Sequence, residues 1–146
     1  MIRLGRVPLL ACALATLVTA SAIADVRHIS IAARSEAPAS LPPEAVIEVR
    51  LLDVSRADAP STDIAVRRLE VTALPVTLDL AYDPGTIDGR MSYVVTARIL
   101  AGERVLFRTT TAYAVLTRGG SEHVAVLLEP MAGLGAPAPD GGAAPQ

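Results

Sequence analysis

After residue 24, apolar residues fall largely at alternate positions and no stretch shows a convincing amphipathic-helix spacing, and this limits the fold more than any other feature. A helix brings its apolar face round every 3.6 residues or so, whereas a strand alternates faces with a period of two. The cleanest alternation is at residues 75–82, where Val76, Leu78, Leu80 and Tyr82 share one face and Thr77, Asp79 and Ala81 the other. Residues 46–54 read as a strand rich in Val, Ile and Leu. Ile47, Val49 and Leu51 fall on one side; Glu48 and Arg50 fall on the other with Leu52 and Val54. A strand apolar on one side and half apolar on the other belongs inside a sheet.

Turn chemistry divides the chain into segments of similar length. Pro42 and Pro43 precede the 46–54 strand, because a proline ring removes a donor and biases its predecessor to extended backbone. The polar stretch 55–60 ends that unit on Pro60. Weak alternation at 26–33 predicts a first strand, 34–40 a linker, and 64–71 a strand with mixed faces and poorly specified register. Asp83-Pro84-Gly85 predicts a turn in which glycine is free to take positive φ. Residues 91–100 predict a long strand with Met91, Tyr93, Val95, Ala97 and Ile99 inward. A tight turn at 101–103 returns it into 104–110; 111–117 continues extended, 118–120 turns, and 122–128 closes the sheet. About seven short strands at regular spacing predict an all-β, single-domain antiparallel β-sandwich, with an Ig-like or small-barrel form as the alternative.

The ends differ from this domain. Residues 1–24 read as an export signal: Arg3 and Arg6 precede an apolar run at 7–19, and Ala22-Ile23-Ala24 is a small-x-small cleavage site before Asp25. A membrane anchor is disfavoured because the run is short for a span. Cys12 is the only cysteine. Leu9-Leu10-Ala11-Cys12 has the outline of a bacterial lipidation box, but the apolar run before it is too short and continues beyond it. Cleavage after Ala24 leaves 122 residues with no cysteine, hence no disulfide. The domain is assigned to 25–130, and residues 131–146, dominated by Gly, Pro and Ala, to a disordered tail.

Charge and composition exclude several functions. Without Arg3 and Arg6, eleven basic residues, all Arg, face fifteen acidic ones, a net charge of −4. A weakly acidic chain without a basic stripe is unsuited to nucleic acid, and it meets a membrane only if lipidated at Cys12 or left uncleaved. His28 and His123 are the only histidines, and no serine stands in a nucleophile-elbow context. Ser55 beside Asp53 and Asp58 is explained by turn capping. Neither histidine has a ligand at a metal-binding spacing, and the Asp79–Asp83–Asp88 group lacks the spacing of a calcium loop. Carboxylates such as Glu48, Asp53, Asp58 and Asp79 could pair as glycosidase acids, but any acidic surface offers such pairs. No Gly-rich phosphate loop is present. No enzyme, catalytic residue, metal or cofactor is therefore expected.

The runs LPPEAVIEVRLLDVSRADAP, LDLAYDPGTID, YVVTARI and VLFRTTTAYAVLTRG, in this order, resemble the YbaY-like bacterial lipoproteins, grouped with the type III secretion lipoprotein chaperone (pilotin) YscW. The resemblance covers about 26–128 and implies an envelope β-sandwich, often lipid-anchored, which in the pilotin branch escorts an outer-membrane secretin. It brings no catalytic residues. The function expected is that of a periplasmic, non-enzymatic binding or accessory module with a protein partner in the cell envelope, including an outer-membrane protein. The alternatives are a pilotin-type secretin chaperone and a small-ligand binder or hydrolase. The candidate docking strand is 64–71, with Ile64, Val66, Arg67, Arg68 and Leu69, because adjacent arginines put a charge on each face, which suits a sheet edge. The same arginines can serve only to keep that edge from aggregating.

Overall fold

The computed structural model describes residues 25–131; the expected export signal with Cys12 and nearly all of the expected tail lie outside them. Eleven strand segments appear in order: β1 Arg27–Arg34, β2 Ala39–Ser40, β3 Ala45–Asp53, β4 Thr62–Glu70, β5 Ala73–Leu74, β6 Val76–Tyr82, β7 Tyr93–Ala101, β8 Arg104–Arg108, β9 Tyr113–Val115, β10 His123–Leu127 and β11 Glu129–Pro130. The only helical element among the described residues is a single 3-10 turn, Pro84–Thr86.

Two sheets carry the fold. The larger runs β11-β8-β7-β3-β4, with β9 also paired to β7; the smaller runs β10-β1-β6. Their inner faces supply an aliphatic core from Ile29 and Ile31 (β1), Ile47, Val49 and Leu51 (β3), Leu80 (β6) and Val95 and Ile99 (β7), all at most 1% exposed. The all-β sandwich expected from the alternation is what forms. Its named strands pair antiparallel except for β1 with β10, which run parallel. The expected linker at 34–40 contains β2, which pairs with β5.

Three local expectations are corrected. Met91 does not face inward: it precedes β7 and is 38% exposed, its N–H bonding the carbonyl of Asp88 in a turn. Gly85 takes no positive φ. The Asp83 side chain accepts its N–H at 2.7 Å and winds the segment into the 3-10 turn instead. Third, Glu48, read with Asp53, Asp58 and Asp79 as a carboxylate of an acidic surface, lies on the charged side of β3 but is wholly buried.

The sandwich is closed differently along its two sides. On one side the chain itself crosses between sheets. Leu128, just past β10, donates to the carbonyl of Arg34, and Met131, just past β11, donates to that of Leu106. A parallel bridge joins Val115 to Ser121 there, and the close approach requires glycine at position 120, where a Cβ would lie 2.6 Å from the Val115 backbone. On the other side β4 and β6 end their sheets and lie near each other without a ladder between them.

Candidate functional site

β4 forms where the sequence places a mixed strand after the 55–60 turn, and it has one neighbour, β3. The phase of its ladder follows from one bond. Val71, just past β4, donates to the carbonyl of Ala45 at 3.0 Å. Bonded pairs alternate in an antiparallel ladder, so Leu69, Arg67 and Ala65 exchange bonds with β3. Glu70, Arg68 and Val66 turn their backbone N–H and C=O groups away from it, to the open edge. The same reasoning applied to β1, whose Ser30 N–H bonds Glu122 in β10's direction, turns Thr77, Asp79 and Ala81 of β6 outward too.

The candidate residues divide between the two faces of β4. Leu69 pairs with Ile47 and Arg67 with Val49, which puts both on the core side. Leu69 is half-buried against the core, and so is Ile64, which sits at the register shift opposite Leu51 and Leu52, a bulge of the kind that blunts edge strands. Arg67 cannot bury its charge there. Its guanidinium instead spans the seam and donates to the main-chain carbonyl of Asp79 on β6, tying one open edge to the other. Val66 and Arg68 lie on the outward face, and Val66 is 47% exposed.

Outward, Arg68 belongs to a cluster that the strand pattern alone did not reveal. Cross-strand register puts Arg68 and Arg98 on either side of Glu48, and Arg50 shares that face two residues along β3. Arg68 holds one carboxylate oxygen through Nε at 2.6 Å and Nη2 at 2.5 Å. Arg98 holds the other at 2.8 and 2.7 Å, together with Arg50 Nε at 2.8 Å. Arg50 also reaches Asp63 at 3.3 Å. Burial by itself raises the Glu48 pKa, but hydrogen bonds from Arg50, Arg68 and Arg98 more than reverse this and hold it at about 2. One signal of this is local, Arg50 two residues from Glu48 on the same face; the other two arginines are 20 and 50 residues away.

The geometry is poor for catalysis. Glu48 is saturated by three cations and cannot act as a proton donor or acceptor near neutrality. Cross-strand register aligns Asp79, Ser30 and His123 in one row, but the serine stands between the other two. A relay needs the histidine between serine and carboxylate. Asp53 accepts from the N–H of Ser55 at 2.9 Å and from its hydroxyl, which makes this pair a turn cap. A surface cavity of about 290 Å³ beside it is lined by Asp53, Ser55, Arg56, Ala59, Pro60, Thr62 and Met91, with no histidine or cysteine. No metal-binding group of His, Cys, Asp and Glu occurs among the described residues.

Comparison with known proteins places this architecture. Over 85 residues, 57% of this chain, it is 33% identical to the uncharacterized lipoprotein YbaY of Escherichia coli (strain K12). The chain spans 45% of that relative's length. A solved structure of an alternative pilotin from the type II secretion system of Vibrio cholerae matches with a TM-score of 0.71 at 34% identity, over 75% of this chain and 100% of that one. Membership of such a group points to an envelope-exported, non-enzymatic protein. The model of the family described as type III secretion system lipoprotein chaperone (YscW) matches residues 26–128, nearly every residue of both sheets, and the chain belongs to that family.

Proposed function

We propose that this protein is an accessory module of the bacterial cell envelope, of pilotin type, that holds an extended segment of an outer-membrane secretin against the open edge of β4. The observation that carries this reading is the run of unpaired backbone groups on Val66, Arg68 and Glu70, a ready template for strand addition. Family membership supports the choice of partner. The relative described as a pilotin covers the same sandwich. A periplasmic module without a lipid anchor needs only the domain; carriage to the outer membrane needs a lipid on Cys12.

The test is a pull-down from envelope extracts with tagged protein, run beside Val66→Pro and Cys12→Ser. Proline at 66 removes an N–H that faces the open edge and leaves the β3–β4 ladder intact. Secretin capture by the parent chain, lost in a Val66→Pro protein with an unchanged circular dichroism spectrum, is the expected result. Capture that survives in the folded variant excludes this edge, and failure to capture any secretin excludes the pilotin role. Loss of capture with Cys12→Ser would show that the module works from a lipid anchor.

A further inference from the structure

One row of side chains crosses the outward face of the large sheet strand by strand: Glu129, Arg108, Arg98, Glu48 and Arg68. It ends on β4, and it ends on a cation. Three guanidiniums, from Arg50, Arg68 and Arg98, share one buried carboxylate, and Asp63 answers Arg50. Within that group three positive charges face two negative ones, and Glu70 lies two residues along β4 on the same face. Arg68 is the most exposed of the three at 67%, and Glu48 occupies only part of its five-donor fork. The fork is also held in place, since its partner is fully buried and fixed by two other arginines, so little freedom is lost when a second anion meets it.

The neighbours of Arg68 on the same face are Val66 and Glu70, at alternate positions. These are the residues whose main-chain groups face the open edge. A segment that pairs with β4 must therefore set its own outward side chains beside Val66, Arg68 and Glu70, at the close spacing where opposite charges stabilise a pair and like charges oppose it.

We propose that the outward face of β4 selects the docked protein segment by pattern: an aliphatic residue beside Val66, an acidic residue beside Arg68 and a basic residue beside Glu70, at every second position. The inference rests on β4 being the docking strand and adds the chemistry of what docks. In antiparallel addition the segment reads base-x-acid-x-aliphatic. A lipid headgroup could meet the Arg68 fork, but it could not use the strand-pairing groups at the same three positions, which favours a peptide.

Two seven-residue peptides test this, Thr-Lys-Thr-Glu-Thr-Val-Thr and its charge-exchanged form Thr-Glu-Thr-Lys-Thr-Val-Thr, titrated into the isotope-labelled protein as exported while the amide resonances of β4 are followed. The first should shift Val66, Arg68 and Glu70 and bind about fivefold more tightly than the second. Arg68→Gln, which leaves Glu48 two arginines, should shrink the difference without erasing binding, and Arg68→Gln combined with Glu70→Gln should erase it. Val66→Pro should erase binding of both. Equal binding of the two peptides, lost with Val66→Pro, overturns the pattern and leaves the docking strand standing. Binding of neither overturns both. Shifts of the same amides by phosphatidylglycerol vesicles but not by either peptide would assign the guanidiniums to a membrane surface and overturn the proposal.

Discussion

At Glu48 the energetics depend on which partner is removed. The carboxylate is fully buried and serves three cations, so Glu48→Gln leaves three neighbouring guanidiniums without their anion. Loss of one member of a buried ion pair costs about 3 kcal/mol or more. Arg68→Gln leaves Glu48 with Arg50 and Arg98 and removes a side chain that is mostly in water, at a cost of about 1 kcal/mol or less. Chemical denaturation of the two variants measures the contrast; equal losses would show that Glu48 is not the centre of the cluster. The same carboxylate sets an acid limit. Its folded pKa, about 2, lies below the ordinary 4.5. Its contribution to stability is therefore complete above about pH 4.5 and is lost as pH falls toward 2. Glu48→Gln should flatten the decline in melting temperature across that window. Little of this was legible in the sequence, where a Glu in an alternating strand reads as solvent-facing. Burial came from partners on β4 and β7, and pattern within one strand carries no information about which residues a neighbouring strand brings alongside.

Among the elements, strands bearing a strong alternation were legible almost to the residue. β6 was expected over 75–82 and forms as Val76–Tyr82; β3 was expected over 46–54 and forms as Ala45–Asp53. Each has one face against the core, and a shift of one residue would turn that whole set outward, so the pattern fixes the register. β7 is the sharpest test. Val95 is fully buried, whereas Thr96 faces out opposite Arg50. Val95→Asp should cost about 4 kcal/mol by burying an unpaired carboxylate. Thr96→Asp, placed beside a guanidinium, should cost under about 1 kcal/mol. Thermal denaturation of both variants checks it, and comparable losses would mean that the outward face is as dry as the core. Less legible were the two-residue strands β2 and β5, too short to show any period, and the start of β7, where Met91 extended the alternation by pattern while the turn at Asp88 had already claimed its backbone. β4, with the weakest alternation, ends the large sheet, whereas β6 ends the small one with the cleanest alternation, so an edge position does not by itself set the pattern.

For the whole molecule, the described domain and the flanking residues should respond very differently to truncation. Removal of residues 133–146 should leave the melting temperature within about two degrees. Removal from His123 onward should abolish the cooperative transition, because it strips β1 of one of its two neighbours and takes Val126 and Leu128 from the core. A retained transition in the second deletion would mean that the large sheet is stable alone. Pairing of β1 with β10 was not legible in the sequence, since it joins segments more than ninety residues apart and is the one parallel ladder between named strands. The pairing also governs timing. β1 leads the domain into synthesis and β10 follows almost last, so the central strand of the small sheet has only β6 beside it until its final strand arrives. The first strand therefore cannot lock into the finished sandwich while the rest of the domain is still being made, and closure waits until residue 128 is available.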